Sequence, residues 1–220
     1  MAARSPTLET VERVAIVIYD GFDELDAIGP YEVLRNAVSQ GIDLSVRLCT
    51  LDETDEVRAS HGLRVVPDSV LDDFDVDGTG PDLLVVPGGG WNDRSAAGAR
   101  AEAETGELPD AIRAHYDAGR PIASVCTGGM VVASAGLLDG RRAITHHGAI
   151  NELGDTGAEV VDARVVDDGD LLSAGGVTAG IDLALYLVEC IASEAVADTV
   201  AREMEYERTG EVHRTDRDGR

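Results

Sequence analysis

The chain has 220 residues, enough for one α/β domain with a good core, and its 44% hydrophobic content argues against wholesale disorder. Acidic residues number 42 against 18 basic ones, giving a net charge of −24. Such a surface repels nucleic acid and anionic lipid, so neither is an expected partner.

All 18 basic residues are arginine, and lysine is absent. A GC-rich genome accounts for the missing lysine but not for the excess acid. Acid excess and lysine loss together predict a high-salt cytoplasm. At 1 M salt the Debye length is about 3 Å, which suppresses the self-repulsion of an acidic surface. Three cysteines without paired spacing offer neither a disulfide framework nor a zinc signature. The start, Met1 to Val11, lacks the apolar core of a signal peptide, and no apolar stretch approaches a membrane span. A cytoplasmic protein is the expectation.

In chain order, Arg13–Tyr19 is near-continuous in apolar residues, as buried parallel strands are. Asp20-Gly21 turns the chain. Phe22–Asp26 then lead into a helix carrying Ile28, Tyr31, Leu34 and Val38 near helical spacing, with Pro30 in its first turn and Gly41 at its end. Leu44–Cys49 is a second strand, with Cys49 in the core. Val57–Val66 reads as a hairpin about His61-Gly62, and Asp68–Gly80 as an acidic surface segment. Asp82–Pro87 is the third core strand and runs into Gly88-Gly89-Gly90-Trp91. No Lys-Ser/Thr follows these glycines, so they do not form a phosphate-binding loop. They let backbone approach a ligand or another loop closely. Trp91, the only tryptophan, walls such a site or is a plain loop aromatic.

Ala96–Gly119 is helical with a break at Gly106–Pro109. The stretch that follows organises the chain. Pro121–Val125 is a buried strand that stops at Cys126, and Thr127-Gly128-Gly129 passes at once into a helix, Met130–Ala135. A strand that turns sharply into a helix places the turn residue at the carboxyl end of a sheet, where open α/β sheets bind ligands. The helix start offers free N–H groups and partial positive charge, which favour a thiolate. The layout is a nucleophile elbow with Cys126 in the serine place. A buried structural cysteine is the alternative, but a core residue does not need the Gly-Gly turn.

Arg141–Thr145 is a short strand ending at His146-His147-Gly148. Val160–Val166 and Leu171–Ser173 are strands joined by an acidic turn. Ile181–Ser193, with Cys190 in its apolar pattern, and Glu194–Glu207 are helices. Residues 1–10 are read as an extension, 11–207 as one domain, and 208–220 as a charged, frayed tail. Strands alternating with helices predict a mostly parallel sheet covered on both faces.

Three strand ends converge in such a fold: Tyr19–Asp26, Val86–Gly90 and Cys126. Asp23, Glu24 and Asp26 follow the first strand, and Asp26, before apolar Ala27-Ile28, is best placed to enter the site. A carboxyl beside a thiolate has its pKa raised and can carry a proton. The alternative for each acid is a solvated charge at a helix start. His146 and His147 are base candidates; in an extended segment only one of them faces Cys126. His61, His115 and His213 receive no role, and no His or Cys spacing fits a metal site.

The motifs Tyr19–Asp26 with Gly29–Leu34, His61-Gly62-Leu63 with Pro67-Asp68, and Val86-Pro87-Gly88-Gly89 together resemble the DJ-1/PfpI superfamily. So do Ser124–Gly128, Thr145-His146, Ala174–Asp182 and Glu203–Tyr206. The resemblance runs from Val11 to Glu207 and is nearest to the isocyanide hydratase branch. It implies a flavodoxin-like three-layer sandwich, a homodimer, a small-molecule substrate and no cofactor. It makes Cys126 the nucleophile and Asp26 the acid, and gives Gly89 and Thr127 backbone donors near the sulfur. Gly88 and His146 fall at matching site positions. Thr127 stands where the peptidase and Hsp31-like branches carry histidine, which argues against both. The same Cys-Thr-Gly core occurs in AraC-type regulators, whose chains continue into a DNA-binding domain; with the sequence ending at Arg220 and a charge wrong for DNA, that reading is not expected. Ile144 and His147 depart from the hydratase pattern of Thr and Trp. The implied reaction is hydration of an isocyanide to an N-substituted formamide. The alternatives are a glyoxalase or deglycase acting on dicarbonyls, against which Asp in place of Glu counts, and a non-catalytic cysteine redox sensor.

Overall fold

A computed structural model describes residues 8–74 and 80–215. The first seven residues, part of the acidic segment before Gly80, and the last five residues of the tail lie outside the described residues.

The elements in order are β1 (Arg13–Val17), α1 (Glu24–Ser39), β2 (Ser45–Thr50), β3 (Val57–Arg58), β4 (Arg64–Val65), β5 (Ser69–Val70), β6 (Leu83–Val86), α2 (Ala99–Thr105), α3 (Glu107–Asp117) and β7 (Ile122–Val125). They continue with α4 (Gly128–Ser134), β8 (Arg142–Ala143), α5 (Ile150–Asp155), β9 (Glu159–Val160), β10 (Val165–Asp167), β11 (Leu171–Ala174), α6 (Ala179–Ile191), α7 (Glu194–Glu203) and β12 (Val212–Arg214).

The main sheet has the order β12-β10-β11-β7-β6-β1-β2-β5. Its centre, β2-β1-β6-β7-β11, is parallel throughout. This is the flavodoxin-like strand order, whose direction reverses between β1 and β6. The register sets Ile16 beside Val85 and Val86 beside Ser124, so the loops after β1, β6 and β7 leave the same sheet edge together. β6, β7 and β11 are buried at every position, which explains their unbroken apolar runs. Helices α1, α6 and α7 pack together, as do α2, α3 and α4, and the two groups flank the sheet. Among the described residues no helix is long and apolar enough to cross a membrane.

Several elements depart from expectation. α1 starts at Glu24, because Asp23 caps it: its Oδ1 accepts the Leu25 N–H at 3.2 Å. Asp26 therefore lies in the first helical turn and Pro30 in the second. α4 already begins at Gly128. His146-His147 is not an extended segment: a 3₁₀ turn covers His147–Ala149 and leads into α5, which the sequence does not announce. The expected strand Val160–Val166 is split between β9, paired with β8, and β10 in the main sheet. Val212–Arg214 pairs with β10 as an edge strand where a frayed tail is expected.

Candidate active site

The strand β7 ends at Val125, and the next residue, Cys126, has φ +56°. An L-residue in this region costs about 1–2 kcal/mol, so surrounding bonds must hold it. Its N–H reaches Gly175 O at 2.9 Å and Ala174 O at 3.1 Å. Its carbonyl accepts the Thr145 hydroxyl at 2.8 Å and the Gly129 N–H at 3.3 Å. Two glycines make room for the turn. A Cβ on Gly128 would lie 2.1 Å from Val86 O, and one on Gly88 would lie 2.5 Å from Thr127 N. The glycine loop after β6 therefore exists to approach the elbow.

The Cys126 side chain is almost fully buried. Backbone N–H groups of Val177 and Thr127 bond the sulfur. Asp26, fully buried in the first turn of α1, accepts the Gly88 N–H on Oδ2 at 3.0 Å. Its Oδ1 is buried with no well-formed hydrogen bond, and the Cys126 thiol is the side chain within bonding reach of the carboxyl. Burial, then the charge of Asp23, pushes the Asp26 carboxyl well above its ordinary range. Burial, then Asp26, pushes the Cys126 thiol up to about 12 against the pull of the two amides. The short α4 does not offset that burial, so the sequence expectation of a freely favoured thiolate is corrected. Cys126 and Asp26 instead titrate as a coupled pair, both raised by the burial they share, with Asp26 raising Cys126 further.

Thr127 is buried, and its Oγ1 accepts the Gly89 N–H at 3.0 Å. That corrects one expectation: the Gly89 amide is spent on Thr127, and Val177 supplies the second donor at the sulfur. Trp91 is buried, donates Nε1–H to Glu152 Oε2 at 3.2 Å, and carries the Arg100 guanidinium 4.3 Å above its ring. His146 Nδ1 accepts the Gly148 N–H at 3.1 Å and lies 3.0 Å from Asn92 Nδ2. Burial, then His147, lowers its pKa, and an Nδ1 that accepts the Gly148 N–H leaves Nε2 to carry the ring proton of the neutral form. With Nδ1 so occupied, His146 turns its Nε2 edge to the cavity. His147 is exposed and stacks on it at 4.1 Å.

Cys126, Thr127, Gly89, Trp91 and His146 line one cavity of about 540 Å³ at the carboxyl edge of the sheet. Its outer side is the β3–β4 hairpin, which sequence reasoning left without a role. The hairpin docks through Gly21 N–H to Arg58 O and Ser60 N–H to Phe22 O, both 2.8 Å. This brings Arg58, Ser60 and His61 to the cavity. His61 Nδ1 lies 2.7 Å from Glu24 Oε2, and the His61 N–H donates to Oε1 at 2.8 Å. Partial burial pushes Glu24 up, but hydrogen bonds from the ring and backbone of His61 hold it down to about 2. The same Glu24 bond raises His61. Asp23, Glu24 and His61 bring ligand atoms within 4.8 Å of one another, but these Glu24 oxygens are already bonded by His61.

Comparison with known proteins follows the same pattern. The sequence profile of the DJ-1/PfpI family matches residues 12–190. The isonitrile hydratase of Pseudomonas putida is 36% identical over 194 residues, covering 88% of this chain and 78% of that protein. A deglycase of Thermococcus kodakarensis is 30% identical over 162 residues, covering 74% and 89%. The crystal structure of Drosophila melanogaster DJ-1beta superposes with a TM-score of 0.76 at 24% identity, covering 90% of this chain and all of that one.

Proposed function

The chain belongs to the DJ-1/PfpI family, and we propose that it is a cysteine-dependent hydro-lyase that adds water to an isocyanide. The observation that carries this reading is the buried Cys126–Asp26 pair, in a chain 36% identical to an isonitrile hydratase. The substrate is a small molecule that enters the cavity above the sulfur.

Thiol addition needs a nucleophile and a proton delivered together, and the pair holds both. Cys126 sulfur bonds the terminal isocyanide carbon while Asp26 passes a proton to that carbon. The product is a thioimidate, S–CH=N–R. Water then adds across the C=N bond, its oxygen to carbon and a proton to nitrogen. The C–S bond breaks, sulfur leaves with the electron pair, and the hydroxyl proton returns to the Cys126–Asp26 pair. The N-substituted formamide departs. The Thr127 and Val177 amides favour the sulfur anion at both steps. Buried Asp26, whose Oδ1 lacks another partner, is suited to shuttle one proton.

Formamide formation from an aryl isocyanide in molar KCl, by wild type and Cys126→Ala in parallel, tests the reading. Loss of product in the variant supports it; no product from folded wild type refutes it. The deglycase relative supports a second reading, a dicarbonyl substrate attacked by the same sulfur, for which methylglyoxal is the test substrate. We also propose that the chain works as a homodimer in a high-salt cytoplasm, as its resemblance and its net charge of −24 imply.

A further inference from the structure

Two basic side chains of the β3–β4 hairpin, Arg58 and His61, line the cavity that contains Cys126. Among the described residues the Arg58 guanidinium has no ion-pair partner, whereas Arg13, Arg100, Arg141 and Arg164 are each paired to a carboxylate. Only the backbone N–H of Arg58 meets an acid, donating to Asp20 Oδ1 at 2.8 Å. His61 keeps Nδ1 against Glu24 Oε2 at 2.7 Å, so that nitrogen carries a proton and the outer nitrogen, Nε2, has no partner among the described residues.

Each acid around the same cavity makes at least one local hydrogen bond. Asp23 Oδ1 caps α1, Glu24 holds His61, Asp20 Oδ1 takes the Arg58 N–H, and Asp93 accepts both the N–H and the hydroxyl of Ser95. On the other side His146 offers Nε2–H, since its Nδ1 is occupied by the Gly148 N–H. The cavity thus keeps the Arg58 guanidinium and the His146 Nε2 edge in reserve, while each acid on its wall has at least one local partner. A donor-rich wall with a guanidinium suits a carboxylate, which accepts charge-assisted bonds from Arg and imidazolium.

We infer that the cavity takes a substrate bearing a carboxylate remote from its reactive carbon, held by the Arg58 guanidinium with the outer edge of His61 beside it. This rests on the hydratase reading and narrows it to carboxylated isocyanides. The test compares 4-isocyanobenzoate with its methyl ester in 1 M KCl. The expected result is a kcat/KM higher for the acid by about ten- to a hundredfold, mostly through KM. In Arg58→Gln the acid-over-ester ratio should fall towards one, and in His61→Gln it should fall in part. Equal kcat/KM for acid and ester in the wild type would overturn the inference while leaving the hydratase reading standing. A readout independent of turnover is calorimetric binding of benzoate and methyl benzoate to Cys126→Ala. Benzoate binding that Arg58→Gln abolishes supports the carboxylate site even where no isocyanide is hydrated. Absence of benzoate preference there overturns it.

Discussion

Asp26 Oδ2 accepts the Gly88 N–H at 3.0 Å, which ties the acid on α1 to the glycine loop after β6. The bond orients the carboxyl and leaves Oδ1 free beside the Cys126 thiol. Asp26→Asn keeps the shape and removes the proton carrier. Its kcat for isocyanide hydration should fall by about 10²- to 10⁴-fold, the range for a lost general acid–base group. A smaller loss would place the proton elsewhere.

The same carboxyl makes stability depend on pH. Its folded pKa lies above its ordinary value of 3.8, so the native state binds more protons above that pH. Stability therefore falls as pH rises from about 4 towards the folded pKa. The difference in melting temperature, Asp26→Asn minus wild type, should grow with pH across that interval. A pH-independent difference would contradict the raised pKa.

His115, on α3, works in the opposite sense. It is buried, and its Nε2–H meets Pro121 O at 3.0 Å. Burial lowers its pKa from 6.5 to about 4. The unfolded chain protonates first, so stability drops as pH falls from 6.5 through about 4, by up to about 3 kcal/mol. Denaturant titrations at pH 7 and pH 4.5 should show this loss in the wild type and a smaller one in His115→Gln.

Thr145 holds the strained elbow through its hydroxyl on Cys126 O, 2.8 Å away in a buried site. Thr145→Val should cost about 1–3 kcal/mol, since the carbonyl loses its better donor. It should also lower kcat as the sulfur drifts from the Val177 amide. Thr145→Ser keeps the hydroxyl and should restore both. Equal behaviour of the two variants would show that the bond does not matter.

The surface charge of −24 predicts a salt requirement. Raising KCl from 0.1 M to 2 M shortens the Debye length from about 10 Å to below about 3 Å and relieves self-repulsion. The melting temperature should rise across that series. A flat series would count against adaptation to a salty cytoplasm.

The sheet is legible in the sequence because its central strands are buried on both faces. Val14–Val17, Leu83–Val86 and Ile122–Val125 read as unbroken apolar runs. Cys126 is legible because a cysteine followed by Thr-Gly-Gly has no need of such a turn in a core. The donor at Val177 is not legible: it acts through a backbone N–H at φ +34°, and side-chain type carries no trace of that. The Glu24–His61 pair joins residues 37 apart through the docking of a hairpin, which no local pattern encodes. The histidine pair misleads because the turn at His147–Ala149 breaks the extended geometry, and His146 spends Nδ1 on capping it. Val212–Arg214 is too polar to read as a strand, yet β10 has a free edge for it to pair with.

The central claim is that Cys126 bonds the isocyanide carbon, and rapid quench with intact-protein mass spectrometry tests it most directly. In the wild type, quenched within the first turnover of an aryl isocyanide in molar KCl, the account predicts a gain equal to the mass of the isocyanide. The gain should map to Cys126 and be absent from Cys126→Ala. Formamide produced by wild type with no such adduct, or produced equally by Cys126→Ala, would contradict it.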